Sequence, residues 1–314
     1  MKKGAKSLVL RDIYRTVAGW VGASRRGAAP SSILAKKRGD MLVYSETKER
    51  FLNDVRTNII HHRIQDKLRQ KSFHNVGPAE VASWRNSMQF MGNVLLDPEI
   101  PADAQISVEY MIPLTSKRVD VIIAGRGKDD RDAVVIVELK QWSEVEATSK
   151  DGVVQTFLGG GRREVSHPSY QAWTYEQLIK DYNLSVQQNG TSITSCAYLH
   201  NLDDDSVIRS VFYQAHLDRS PVFISSDTEQ LASFIKQHVK YGDAQTMYRI
   251  ENSRLRPSKD LADSLASMIT GNVEFIMIDE QKVIYETALH LAAKAQTGVK
   301  QVLLVEGGPG TGKS

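Results

Sequence analysis

The chain has 314 residues, 41% hydrophobic and 25% charged, with one cysteine and a formal net charge of +3. This composition excludes wholesale disorder, a collagen-like repeat and a disulfide scaffold, and the length suggests about two domains. Cys196 alone allows neither an intrachain disulfide nor a cysteine-rich zinc site, which fits a reducing, cytoplasmic setting. No apolar run approaches the ~20 residues of a membrane-spanning helix, so no membrane partner is expected.

The charge is unevenly spread. Residues 1–40 hold ten basic and two acidic side chains, a balance of +8, which leaves −5 for residues 41–314. The basic pI therefore does not mark a nucleic-acid surface on the folded body. This leader reads as a disordered arm or as translated sequence upstream of the true start, since Met41 opens a well-patterned domain, with a transit peptide as the competing reading.

From Ser45 the spacing of Phe51, Leu52, Val55, Ile59, Ile60, Ile64 and Leu68 predicts a helix. Ser45 would cap it, with Glu46 and Glu49 at the positive end of its dipole. A second helix is predicted from Pro78 through Trp84 and Met88 to Leu95. The period then changes to strands over 106–112, 118–124 and 133–139, with a turn at 113–117. The run AVVIVEL reads as a central strand buried on both faces. Gly159-Gly160-Gly161 reads as a loop, and Ser166 and Pro168 open a helix through Tyr170, Trp173 and Ile179. Strands at 193–199 and 222–225 and a helix over 228–239 complete an α/β sandwich around a mixed sheet. A connector over 251–272 carries one amphipathic helix. A second unit, 273–314, begins with a helix over 279–293 and a strand over 301–305.

Two constellations carry chemistry. In the first, Asp120 interrupts the apolar strand RVDVIIAG, and Glu138 and Lys140 lie two apart, on one face, in VVIVELKQW. Buried charges need a partner or a metal. Two carboxylates on neighbouring strands can hold a hard divalent cation such as Mg²⁺ or Mn²⁺. Lys140 would then position a water or stabilise charge on phosphorus. The competing reading pairs Asp120 with Lys140 or Arg118 and leaves Glu138 solvated. On the following helix Gln171 and Tyr175 are four apart and share a face. In the second constellation, VLLVEGGPGTGKS runs from an apolar strand into G-x-x-x-x-G-K-S. The backbone of Gly307, Gly308, Gly310, Thr311 and Gly312 would cradle phosphates, with Lys313 on the β- and γ-phosphates and Ser314 on Mg²⁺.

The D…ExK strands followed by Q-x-x-x-Y resemble the PD-(D/E)XK nuclease superfamily, and the Gln–Tyr pair resembles its RecB-type branch. The likeness covers residues 78–200. It implies Mg²⁺-dependent cleavage of nucleic acid, DNA rather than RNA, with metal on Asp120 and Glu138, catalysis assisted by Lys140, and Gln171 and Tyr175 either supporting the site or contacting the nucleic-acid backbone. That superfamily often adds an acid from the preceding helix. Glu80 is the nearest candidate, with Glu49 and Glu109 as alternatives.

Over 41–314, segments such as YSETKERFLNDV, ENSRLRPSKDLADSLASM and VEGGPGTGKS resemble bacterial proteins that join such a domain to a Schlafen-type helicase/ATPase domain. That likeness implies an ATP-driven nucleic-acid motor tethered to a nuclease, in phage defence or DNA processing; the sequence itself sets no oligomeric state and leaves a homo-oligomer open. Gln281, in IDEQKVIYETAL before the strand at 301–305, resembles a glutamine that reads adenine in superfamily 1 helicases, the competing reading being a plain exposed helical glutamine. The sequence stops at the phosphate loop, so the expectation is a truncated ATPase without turnover of its own. The alternatives are a cleavage-inactive gripping module and a nucleotide-sensing or docking scaffold.

Overall fold

A computed structural model describes residues 41–70, 76–113, 115–269, 276–296, 298 and 300–306. The leader (1–40) and the phosphate loop (307–314), both singled out by the sequence, lie outside the described residues.

The first departure from the sequence pattern comes at once. Ser45 lies in a strand, β1 (Tyr44–Thr47), and not at a helix cap. Helix α1 (Lys48–Arg56) is capped by Thr47, whose hydroxyl accepts from the Arg50 N–H at 3.3 Å. Asn58 then takes φ 55°, a left-handed conformation that Asn tolerates better than most residues, and α2 (Ile60–Gln70) follows. The apolar spacing continues across the break because both helices face one core. Helix α3 (Pro78–Leu95) starts on its proline, where no N–H is needed.

Strands β2 (Gln105–Met111), β3 (Arg118–Arg126) and β4 (Asp132–Lys140) come next. A small sheet follows, made of β5 (Glu146–Ala147), β6 (Val153–Leu158) and β7 (Gly161–Ser166). The glycine run, expected as a plain loop, is the turn of the β6–β7 hairpin. Gly159 and Gly160 take φ 59° and 84°, as a two-residue hairpin turn demands, and Gly161 opens β7.

The chain continues through α4 (Pro168–Tyr182), α5 (Leu184–Asn189), β8 (Ser192–Leu199), α6 (Gln214–Leu217) and β9 (Val222–Ile224). It ends in α7 (Thr228–His238), β10 (Tyr241–Gly242), α8 (Ala244–Glu251), α9 (Lys259–Ile269) and α10 (Glu280–Ala295).

The main sheet runs β1-β2-β3-β4-β8-β9, with β10 added alongside β3. Pairing is antiparallel from β1 to β4 and parallel from β4 to β8 to β9, so the protein is α/β with a mixed sheet. One face packs on α1, α2, α3 and α7 through Phe51, Ile64, Met88, Met91, Leu231 and Ile235. The other packs on α4, α5 and α8 through Tyr175, Ile179, Val186, Met247 and Ile250. Burial of each such side chain stabilises by about 1.5–3 kcal/mol. Strand β4 sends Val135 and Val137 to the first core and Val134 and Ile136 to the second, which is why AVVIVEL shows no polar alternation.

The strand expected at 301–305 does not form. Residues 301–306 pair with no strand among the described residues, and Val302 and Leu304 are 81% and 84% exposed. A lone extended segment leaves its N–H and C=O groups to water. Among the described residues no helix is long and apolar enough to cross a membrane.

Candidate active site

The site forms where two strands change face. Ile106 and Val108 of β2 point into the first core, whereas Tyr110 and Ile112 point into the second. Simple alternation would keep all four together. Between them Glu109 takes φ 59°, a left-handed conformation that a buried, non-glycine strand residue adopts only under constraint. Strand β3 makes the matching change: Val119 joins the second core and Val121 the first. The ladder pairs Val108 with Val121 and Tyr110 with Val119, so Glu109 and Asp120 meet at the reversal.

Asp120 is half-buried, and its Oδ2 accepts from the Leu139 N–H at 2.7 Å. Burial pushes its carboxyl up to about 6, with Lys140 opposing and Glu109 adding to the rise. Glu138 is 3% exposed. Its Oε1 accepts from Lys140 Nζ at 2.8 Å, while Oε2 is buried with no hydrogen-bond partner. Burial, and after it the Asp120 carboxylate, pushes Glu138 up to about 8. Burial pulls the Lys140 ammonium down, but Glu138 and Asp120 more than offset it and hold it above its ordinary value. The three groups thus gather at the ends of β3 and β4. Glu138 is not solvated, and Lys140 pairs with Glu138.

A cleft of about 480 Å³ opens on Asp120 and Lys140, lined also by Glu80, Trp84, Glu109, Arg118 and Trp142 and by Phe157 and Leu158 of the hairpin. Gln141 ties its mouth to α3, donating to Ser83 Oγ at 2.7 Å and Ser87 Oγ at 2.9 Å. The candidate third acids divide. Glu109 accepts from Trp84 Nε1 at 2.7 Å and from Arg118 Nε at 3.0 Å, and its charge bears on Asp120. Glu80 bridges to Arg118 Nη2 at 2.8 Å. Glu49 lies in the first turn of α1, exposed and outside the cleft lining.

Gln171 and Tyr175 lie on α4, and the charge of Glu138 reaches the Tyr175 phenol. Gln171 Nε2 donates to the Tyr175 oxygen at 2.9 Å, and the Tyr175 hydroxyl donates to Asp279 Oδ2 at 2.8 Å. Burial, then the charges of Glu138 and Asp279, push the Tyr175 phenol up and keep it a neutral donor. Sequence reasoning missed Asp279, which also takes an ion pair from Lys117 Nζ at 2.8 Å. Its one signal was an acid directly preceding a helix, which ordinarily reads as a cap. Gln281 accepts from the Ile278 N–H at 3.1 Å through Oε1. Gly307, Gly308, Gly310, Thr311, Gly312, Lys313 and Ser314 lie outside the described residues.

Other residues have structural roles. His167 caps α4 and is fully buried. His200 meets Ser87 Oγ at 3.1 Å. Burial pushes the Cys196 thiol up, away from nucleophilic character.

No group of three or more His, Cys, Asp or Glu side chains poised to hold a metal ion occurs among the described residues. Asp120 and Glu138 nevertheless fit a hard cation as a pair. Both carboxyls are pushed up, and the buried Oε2 has no hydrogen-bond donor. Mg²⁺ commonly uses only one or two carboxylates and keeps several waters. Comparison of the chain with protein-family models, with curated proteins and with solved structures finds no match.

Proposed function

We propose that residues 41–250 form a cation-dependent phosphodiester hydrolase acting on nucleic acid, DNA in the first instance. The observation that carries this reading is the partnerless, buried Oε2 of Glu138, whose other oxygen accepts from Lys140, a residue that lines the open cleft together with Asp120. A divalent cation on Asp120 and Glu138 would polarise a phosphoryl oxygen and lower the pKa of water.

The chain's own groups supply the rest. Lys140 keeps its proton at neutral pH and presents an ammonium to charge developing on the phosphoryl oxygens. The Leu139 N–H holds Asp120 in place. Trp84 and Arg118 orient Glu109, which supports the rise in proton affinity of Asp120. The G-x-x-x-x-G-K-S pattern supports nucleotide binding by the same chain, with loss of ATP binding in Lys313→Ala as its check.

The test is nicking of supercoiled plasmid by the full chain in Mg²⁺ or Mn²⁺. Lys140→Met is expected to lower the rate by about 10²–10³, the ordinary loss for one charge-stabilising donor. Absence of cutting with either metal, or cutting by Lys140→Met at the wild-type rate, overturns the reading. Binding without cutting would leave a gripping module.

A further inference from the structure

Asp279 sits at the N-cap of α10, where an aspartate normally accepts from its own helix. It makes no such bond and is 6% exposed. Its backbone takes φ 41° and ψ −104°, a sparsely populated conformation that costs about 1–3 kcal/mol. The side chain turns instead toward the sheet. Its charge bears on both Glu138 and Lys140. Two donors converge on one oxygen: Tyr175 hydroxyl and Lys117 Nζ each reach Oδ2 at 2.8 Å. Oδ1 is buried with no hydrogen-bond partner. A carboxylate placed for stability is ordinarily satisfied on both oxygens. This one gives up its cap, strains its backbone and stands near another buried acid.

We propose that Lys117 and Tyr175, with Gln171 behind the tyrosine, form a subsite for a non-bridging phosphate oxygen, and that Asp279 is its internal occupant. The inference rests on the nucleic-acid reading above. A neutral hydroxyl and an ammonium aimed at one anionic oxygen suit a phosphodiester as well as a carboxylate. The segment 276–280 then closes the α4 side of the site, and substrate must displace it.

The test measures binding of a labelled DNA duplex to the full chain in EDTA, by fluorescence anisotropy. Asp279→Gly removes the occupant and suits the positive φ, so it should fold at least as well as wild type. Given an open state near 10% of molecules, the upper end of ordinary minor states, removing the occupant tightens apparent affinity about tenfold. Asp279→Asn should tighten it less. Glu280→Gln is the control: it makes the same charge change and also touches Lys117, at 2.8 Å, whereas the Tyr175 hydroxyl donates to Asp279. It is expected to change affinity less than about twofold, as befits an exposed pair. Adding Tyr175→Phe to Asp279→Gly should return affinity to the wild-type value or below.

Equal tightening by Asp279→Gly and Glu280→Gln would reduce the effect to net charge and overturn the proposal. So would unchanged or weaker binding by Asp279→Gly. Slower Mn²⁺-dependent cutting with unchanged binding would place Asp279 in the cutting machinery instead, which also overturns it. If Asp279→Gly binds more tightly and no variant cuts, the hydrolase reading fails and the occupied subsite stands.

Discussion

Glu138→Gln separates a built cation site from a strand-end ion pair. In wild type without metal, Oε2 is buried and unserved, and an unsatisfied buried acceptor costs about 1–3 kcal/mol. The folded carboxyl also holds its proton to higher pH than the unfolded one. Its contribution is therefore fullest below about 4.5 and is lost as pH rises towards about 8. The isosteric amide does not ionise and escapes the pH-linked loss, with its oxygen still accepting from Lys140 and its NH2 in the partnerless position of Oε2. At pH 8 in EDTA, Glu138→Gln is expected to melt about 2–12 °C above wild type, by the usual conversion for a domain of this size. Excess Mn²⁺, at about 100 times its Kd, should stabilise wild type by about 2.7 kcal/mol and the variant by far less. Differential scanning calorimetry of both proteins, with and without Mn²⁺, reads this reversal. A variant that melts below wild type in EDTA, or that keeps the full Mn²⁺ shift, would show that the carboxylate serves Lys140 alone.

Two further predictions concern the frame. His167 is fully buried, with Nδ1 accepting from Ser169 N–H at 3.2 Å, and burial holds its pKa down to about 4. The unfolded imidazole titrates near 6.5, so stability is complete above that pH and about 3 kcal/mol is lost as pH falls from 6.5 to 4. Urea titrations across this range should show the slope in wild type and a flatter one in His167→Gln; equal slopes would refute the assignment. Gly125→Ala places a methyl 2.3 Å from the Tyr241 carbonyl oxygen and 2.9 Å from Val239 Cγ1. It should destabilise by about 1–3 kcal/mol as β10 is pushed off β3, and an unchanged urea midpoint would contradict this.

Much of the frame was legible in the sequence because periodicity and burial agree there. Pro78 and Pro168 mark helix starts, and the β-branched run of β4 marks a strand covered on both faces. The same logic placed Glu138 and Lys140 on one face. It failed where a backbone departs from its regular period. Alternation could not anticipate the turnover at Glu109 and Asp120, since it encodes neither the left-handed φ of Glu109 nor its ties to Trp84 and Arg118. The helix spacing from Phe51 to Leu68 hid a break, because two helices on one core share a face across Asn58. Asp279 was invisible because its partners, Lys117 and Tyr175, lie more than a hundred positions away.

The face change at Glu109 and Asp120 also locks the site's register twice. A one-residue slip of β2 against β3 would expel Ile106 and Val108 from one hydrophobic layer and Tyr110 and Ile112 from the other. The acids at the crossover cannot drift along the strands without breaching both layers. Amide protons flanking Asp120 should therefore exchange only through global opening, while local adjustment falls to side chains and to the 276–280 strap.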